Sequence, residues 1–410
     1  MRRRDALLTL ALCTLTGCGA GRDGLRVVGV WNGWELARFR DVLTAFSRRG
    51  RWKVSLLSAG NDLDALLGNQ VARTAAPDVA LVPKPQLVAA ARRQLVPPRP
   101  APGAPPAPAG WTRLLTFDGR IYGSWFKVAH KSLVWYRPDM LREVPSDWDE
   151  WLALCGELAA AGRPPLAIGA ADGWVLTDWF ENALLSIDPG TYRRLATGAA
   201  LWRHPSVEAA LRRIGGMWSI PGVFAGGPRR ALLTQYDGAL IDVFEHGSAP
   251  MVCGADFYYP IIRQNGSAPA RWFRFPNRRG EHRPLLAGGD AAVLLRPASE
   301  AGRALVDWLA TPEAARPWAA TGGLLSLDPR VKDYPADQGL LAAELRNETA
   351  DGVTFDLSDQ LGGRLAGNDG RGTWRIFQEF FAAVAERPSA LDAAVSRAVA
   401  RLDGTSRGTA

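Results

Sequence analysis

The chain has 410 residues, 47% of them hydrophobic and 22% charged, which is enough for two domains, each with its own core. Its formal net charge is +8, carried almost entirely by arginines that beyond residues 2–4 stand singly or in pairs; that spread suits a solvated surface near anionic lipid and argues against a nucleic-acid groove. His130, His204, His246 and His282 lack metal-ligand spacing, and no His-Glu-x-x-His, Gly-x-Ser-x-Gly or phosphate loop follows a strand, so no metal, no cofactor and no catalytic residue is expected.

Arg2, Arg3 and Arg4 precede a short apolar run from Ala6 to Leu15, closed by Leu15-Thr16-Gly17-Cys18. The run is shorter than the roughly 20 residues that span a bilayer and reads as a secretory signal peptide over residues 1–17. Its ending resembles the bacterial lipobox, which implies cleavage before Cys18, lipid on that sulfur, a spacer over 18–24 and exposure on the outer face of the cytoplasmic membrane. Removing Arg2, Arg3, Arg4 and Asp5 with the leader lowers the net charge to +6. Of the remaining cysteines, Cys155 and Cys253 could pair in an oxidising compartment, but their apolar surroundings favour buried thiols.

Leu25 to Trp31 reads as a buried strand, followed by an Asn32-Gly33 turn and a helix with Leu36, Phe39, Val42, Leu43 and Phe46 on one face. A strand from Trp52 to Leu57, a helix from Leu63 to Ala72 and a strand from Pro77 to Val82 come next, then a helix through Leu95. Such alternation indicates βαβ units, hence an α/β fold with a mostly parallel sheet. Pro97 to Pro108 is a stiff surface loop. Arg120 to Gly123 and Ser132 to Tyr136 read as strands linking the halves, and a helix opens at Asp147-Trp148-Asp149-Glu150-Trp151, where acidic residues suit the dipole. Further strands are expected at Ala249–Cys253, Arg271–Phe275 and Ala291–Leu295, with helices at Ser299–Leu309, Pro312–Ala320, Thr373–Val384 and Ser389–Leu402.

In order and spacing, several stretches resemble the family 1 extracellular solute-binding proteins, closest to the alpha-glucoside type of carbohydrate ABC transporter. They are Gly119-Arg120-Ile121-Tyr122-Gly123 with Lys131 to Tyr136, Asp147 to Trp151, Gly173-Trp174 with Thr177-Asp178-Trp179, Leu309 to Gly323, Phe355 to Asp359 and Gly372-Thr373-Trp374. The resemblance implies the type II periplasmic-binding-protein fold of two α/β lobes joined by a hinge. The first lobe would be 24–125 plus 290–328 and the second 130–286 plus 332–405, with crossings at 126–129, 287–289 and 329–331. It also implies a monomer that captures a mono- or oligosaccharide, an alpha-glucoside first, and hands it to ABC permease subunits. A ligand-presenting sensor, a binder of a non-sugar solute and a secreted glycoside-acting enzyme are the competing functions.

A sugar offers apolar C–H faces and a rim of hydroxyls, so its site needs aromatic platforms and planar hydrogen-bonding groups. Trp31, Asn32, Trp34 and Glu35 surround a βα turn at a strand's carboxyl end, where open α/β sheets bind ligands. Asp62 and Lys84 follow the next strands, and helix capping accounts for Asp62 equally well. Trp174, Asp178 and Trp179 are the candidates from the second lobe, joined by Asp356 and Asp359. Trp374 resembles the family's stacking tryptophan. Trp125, Asp256 and Phe257 complete the set with Gly289 and Asp290, which serve as well for a hinge turn.

Overall fold

The computed structural model describes residues 24–50, 52–60, 63, 67, 77–99, 105–266, 268–283, 285–347, 353–365 and 372–407. The leader, Cys18, Asp62 and most of the helix expected from Leu63 lie outside the described residues. In chain order, β1 (Leu25–Gly29), α1 (Gly33–Gly50), β2 (Val54–Ser58), β3 (Val79–Val82), α2 (Pro85–Ala91) and β4 (Leu95–Val96) are followed by α3 (Ala109–Leu114) and β5 (Ser124–His130). Then come β6 (Leu133–Tyr136), α4 (Trp148–Ala160), β7 (Leu166–Ala167), α5 (Gly173–Ile187), α6 (Pro189–Ala196), α7 (Pro205–Trp218), α8 (Tyr236–Phe244), β8 (Met251–Gly254), α9 (Tyr259–Asn265) and β9 (Arg271–Arg274). The chain closes with β10 (Leu285–Leu295), α10 (Glu300–Leu309), α11 (Pro312–Ala319), α12 (Ala336–Asn347), β11 (Val353–Phe355), α13 (Thr373–Glu386) and α14 (Leu391–Arg407).

Local chemistry sets the starts of several helices. Asp147 accepts the Glu150 N–H at 3.0 Å ahead of α4, and Ser299 accepts that of Gly302 at 3.0 Å ahead of α10. Along α1, Phe39, Val42, Leu43 and Phe46 are buried on the face that the sequence marked.

Two sheets carry the architecture. The larger runs β11-β10-β3-β1-β2, with β4 and β5 also paired to β10; the smaller runs β9-β6-β8-β7. β1 is parallel to both β2 and β3, as the βαβ pattern requires. Elsewhere the pairing is mixed. β10 is antiparallel to β3, β4 and β5, and β6 is antiparallel to both β8 and β9. Alternation of strands and helices reports only neighbours in sequence, whereas β10 enters its sheet from more than 150 residues beyond β5. Ala291–Leu295 is therefore the last part of an eleven-residue, wholly buried strand. The linking strand is Ser124–His130, not Arg120–Gly123; Arg120–Ile121 pairs with Thr116–Phe117 in a short hairpin.

One core joins β1, β3, α1, α10 and α11, centred on Phe39, Phe46, Leu305 and Trp318. Another joins α4, α5, α7, α13 and α14 around Trp151, Trp179, Trp218 and Phe377. Cys155 and Cys253 are both buried and free. Among the described residues no helix is long and apolar enough to cross a membrane.

Candidate functional site

A cleft of about 650 Å³ opens where the carboxyl ends of β1 and β3 meet the crossing strands β5 and β10 and the starts of α5, α8 and α13. β1 delivers Trp31, Asn32, Trp34 and Glu35 through the Asn32-Gly33 turn, where Gly33 has φ +51°. β3 delivers Lys84, and β10 delivers Gly288, Gly289 and Asp290. Trp174 comes from the first turn of α5, Tyr236 from α8, Phe257 from the segment before α9, and Trp374 from the start of α13. Asp356, Ser358 and Asp359 follow β11. Gly322 and Gly323, with φ of +80° and +77°, let the turn after α11 press against Tyr259, Pro260 and Trp34, where a Cβ would collide.

The aromatic faces come with lysines beside them. The Lys84 ammonium stands 5.5 Å from the centre of the Trp374 ring, Lys131 5.6 Å from Trp174 and Lys127 4.8 Å from Phe257. Lys127 pairs with Glu35. Burial opposes its charge, but Glu35 and then Asp290 and Asp256 hold its pKa above the ordinary lysine value. Burial pushes Asp290 up to about 6 despite Lys127, and the Trp31 indole donates to that carboxylate.

Lys131 reaches Asp178 at 2.9 Å and also pairs with Asp356. Glu181 lies behind them, accepting the Tyr192 hydroxyl at 2.7 Å and the N–H groups of Leu357 and Ser358 at 2.6 and 3.0 Å. With several carboxyls around one ammonium, the charge is shared unequally. Burial pushes Asp178 and Glu181 well up; at Asp356 burial is again the largest single influence, but the pull of Lys131 together with hydrogen bonds from Lys131, Ser358 and the Asp359 N–H holds the carboxyl below its ordinary value. Burial, followed by repulsion from Asp356, raises Asp359 to about 8. Among the described residues no group of three or more His, Cys, Asp or Glu side chains is arranged to hold a metal ion.

The structure brings Trp31, Asn32, Trp34, Glu35, Lys84, Trp174, Phe257, Gly289, Asp290, Asp356, Asp359 and Trp374 together on this cleft. Trp31, only 4% exposed, packs edge-on against Phe39 and Trp318 and offers no stacking face. Four candidates stand elsewhere. The β5–β10 register leaves Phe126 unpaired, and this one-residue bulge reverses the side-chain alternation. Trp125 consequently turns to Trp111 and Phe355, donating to the Trp111 carbonyl at 2.9 Å, while Lys127, Ala129 and Lys131 line the cleft. Trp179 is stacked on Trp151 at 5.2 Å within the helical core, because one more helical step turns it away from the Trp174 face. Asp178 keeps that face but lies beneath Lys131, and Asp256 is fully buried, accepting the His130 N–H at 2.7 Å.

Missing from the sequence-based set are Lys127, Lys131, Asp172, Gln235, Tyr236 and Asp237, all on the cleft. A signal for the two lysines was present in the composition: the 49 basic residues include only Lys53, Lys84, Lys127, Lys131 and Lys332 as lysines. Three of these face the cleft.

Known proteins resemble the chain in sequence and in fold. The family described as bacterial extracellular solute-binding protein matches residues 58–316. The osmoprotective compounds-binding protein GgtB of Synechocystis is 28% identical over 396 residues, covering 87% of this chain and 91% of the relative. The alpha-glucosides-binding periplasmic protein AglE of Rhizobium meliloti is 27% identical over 338 residues, covering 74% of this chain and 71% of the relative. Among solved structures, a chitin oligosaccharide binding protein superposes with a TM-score of 0.75 at 14% identity, over 94% of this chain and all of the other. RafE in complex with raffinose gives 0.73 at 15% identity, over 93% of this chain and all of the other. At such identities the likeness is one of fold: two α/β lobes with a hinge between them.

Proposed function

The chain belongs to the bacterial extracellular solute-binding proteins, and from that premise we propose that it captures a mono- or oligosaccharide in the cleft between its lobes and delivers it to an ABC permease. The observation that carries this reading is one juxtaposition: the partly buried rings of Trp174, Tyr236 and Trp374 share a cleft of about 650 Å³ with the carboxylates of Asp290, Asp356 and Asp359. Rings stack on the C–H faces of a sugar, and the carboxyl groups bond its hydroxyls, ionised Asp356 as an acceptor and protonated Asp359 as a donor too. A wrong hydroxyl pattern leaves a buried acceptor unpaired, which costs about 1–3 kcal/mol per group and supplies selectivity.

An alpha-linked glucoside is the first candidate ligand, supported by the similarity to AglE. Lobes built from 24–125 plus 290–328 and from 130–286 plus 332–405 close about crossings at 126–129, 287–289 and 329–331, burying the ligand. No bond in the sugar breaks. Cys18, with its lipobox-like Leu15-Thr16-Gly17, anchors the monomer to the outer face of the cytoplasmic membrane.

The test is thermal unfolding of the chain from Gly19 onward against sugars, amino acids, polyamines and metal ions. A ligand at about 100 times its dissociation constant adds roughly 2.7 kcal/mol of stability, which gives a clear upward shift. The expected result is a shift with one class of sugar, recovered intact. A shift only with a cation or a peptide defeats the sugar assignment, and recovery of cleaved sugar defeats the transport role.

A further inference from the structure

Lys131 follows directly on β5 and is tied at every polar atom. Its N–H donates to the Leu286 carbonyl at 2.8 Å, and its own carbonyl accepts Asn182 Nδ2 at 3.1 Å. Its Nζ donates to Asp178 Oδ1 at 2.9 Å and to Asp356 Oδ2. The aliphatic stem lies on Gly288, where a Cβ would stand 3.1 Å from Lys131 Cδ. Asp178 belongs to α5, one turn beyond Trp174, whose ring faces the ammonium. Asp356 accepts the Ser358 hydroxyl at 2.6 Å and the Asp359 N–H at 3.0 Å, and so fixes the turn that carries both cleft carboxylates.

A compact ammonium on a flexible stem fits this crowded junction, where an arginine fork would demand more room. That such a residue persists in a chain dominated by arginine agrees with the demand of the site.

We propose that Lys131 is the positioning residue of the cleft: by clamping α5 to the 356–359 turn it sets where the Trp174 face and the Asp356 and Asp359 carboxylates stand, and so sets ligand affinity. The proposal rests on this cleft being the binding site, but its first test needs no sugar. In the ligand-free mature chain, the indole N–H resonance of Trp174, assigned with Trp174→Phe, reports the position of the ring.

Lys131→Met should displace that resonance and make it more sensitive to pH than in the unaltered chain, as Asp356 loses its counter-charge and its carboxyl moves up. Asp178→Ala, which removes one tether from a residue off the cleft wall, should displace it too. Lys131→Arg, which keeps the charge, should follow the pH dependence of the unaltered chain, set by Asp359 and Asp290. Calorimetry with trehalose gives the second readout: Lys131→Met should bind about tenfold more weakly at neutral pH and regain part of that loss on acidification, as Asp356 takes up a proton.

An unmoved Trp174 resonance in both Lys131→Met and Asp178→Ala overturns the proposal. So does an affinity loss in Lys131→Met that is equal at every pH while Asp178→Ala binds normally, since Lys131 would then be a direct contact. Should Lys131→Met fail to fold, Asp178→Ala decides alone by the same resonance. Failure of every form to bind trehalose counts against the ligand assignment, and the indole measurement still decides the role of Lys131.

Discussion

Tryptophan serves two opposite purposes in this molecule. In the helical core, Trp151 is stacked on Trp179 at 5.2 Å and meets Trp148, Phe273 and Phe275 edge-on. Buried apolar side chains surround Trp151 and Trp179, and the Arg213 guanidinium stands at the edge of the cluster, 5.8 Å from the centre of the Trp148 ring. In the cleft, Trp174 and Trp374 are only partly buried, and each has a lysine over its ring and carboxylates nearby. The same side chain supplies cohesion where both faces are covered by apolar groups, and recognition where one face is left among charges.

Exchanging single rings should separate the two regions. Trp151→Ala should have the largest effect, lowering unfolding free energy by about 3–5 kcal/mol through cavity formation, while the folded fraction keeps its sugar affinity; denaturant unfolding and calorimetry measure the two. Trp374→Ala should do the reverse, weakening sugar affinity on the order of tenfold, about 1.4 kcal/mol, with a smaller change in stability. If Trp374→Ala binds normally, its ring belongs with the packing tryptophans.

A third contrast concerns the charges themselves. Asp359 holds its proton up to about 8 in the folded protein, against roughly 3.9 in an unfolded chain. Below about pH 4 both states are protonated and nothing is lost. As pH rises towards 8 the unfolded state ionises freely and the native state does not, so stability falls. The ligand-free melting temperature should therefore drop between about pH 6 and about pH 8, and Asp359→Asn should flatten that slope. An equal slope in the variant would place the titration on other buried acids, Asp256 or Asp290.

The sequence made the two-lobe fold legible because order and spacing of short stretches survive where no single tetrapeptide is specific. It also marked the cleft edges that are local, such as Trp31 to Glu35 beside β1 and Asp356 to Asp359 after β11. Features that depend on pairing across the chain stayed hidden. The bulge at Phe126, which turns Trp125 away and Lys127 inward, is a property of two strands in register and has no counterpart in one-strand periodicity. Trp179 looked like Trp174 because both stand in one aromatic stretch, yet the helical step separates wall from core. In the sequence Lys131 shows only a family-like stretch, since its bonding partners Asp178 and Asp356 stand 47 and 225 positions away.

The β5–β10 pairing has a mechanical consequence. Residues 127–130 of one strand are laddered to 287–290 of the other, and the bulge interrupts the ladder immediately beyond. Two separate threads between rigid bodies would permit swivelling in every direction. A laced ribbon behaves as a leaf spring: it flexes out of its own plane, resists shear within it, and yields first where the lacing is broken. In the proposed closure such a ribbon would guide the lobes along one track and bring the same pair of surfaces into alignment each time.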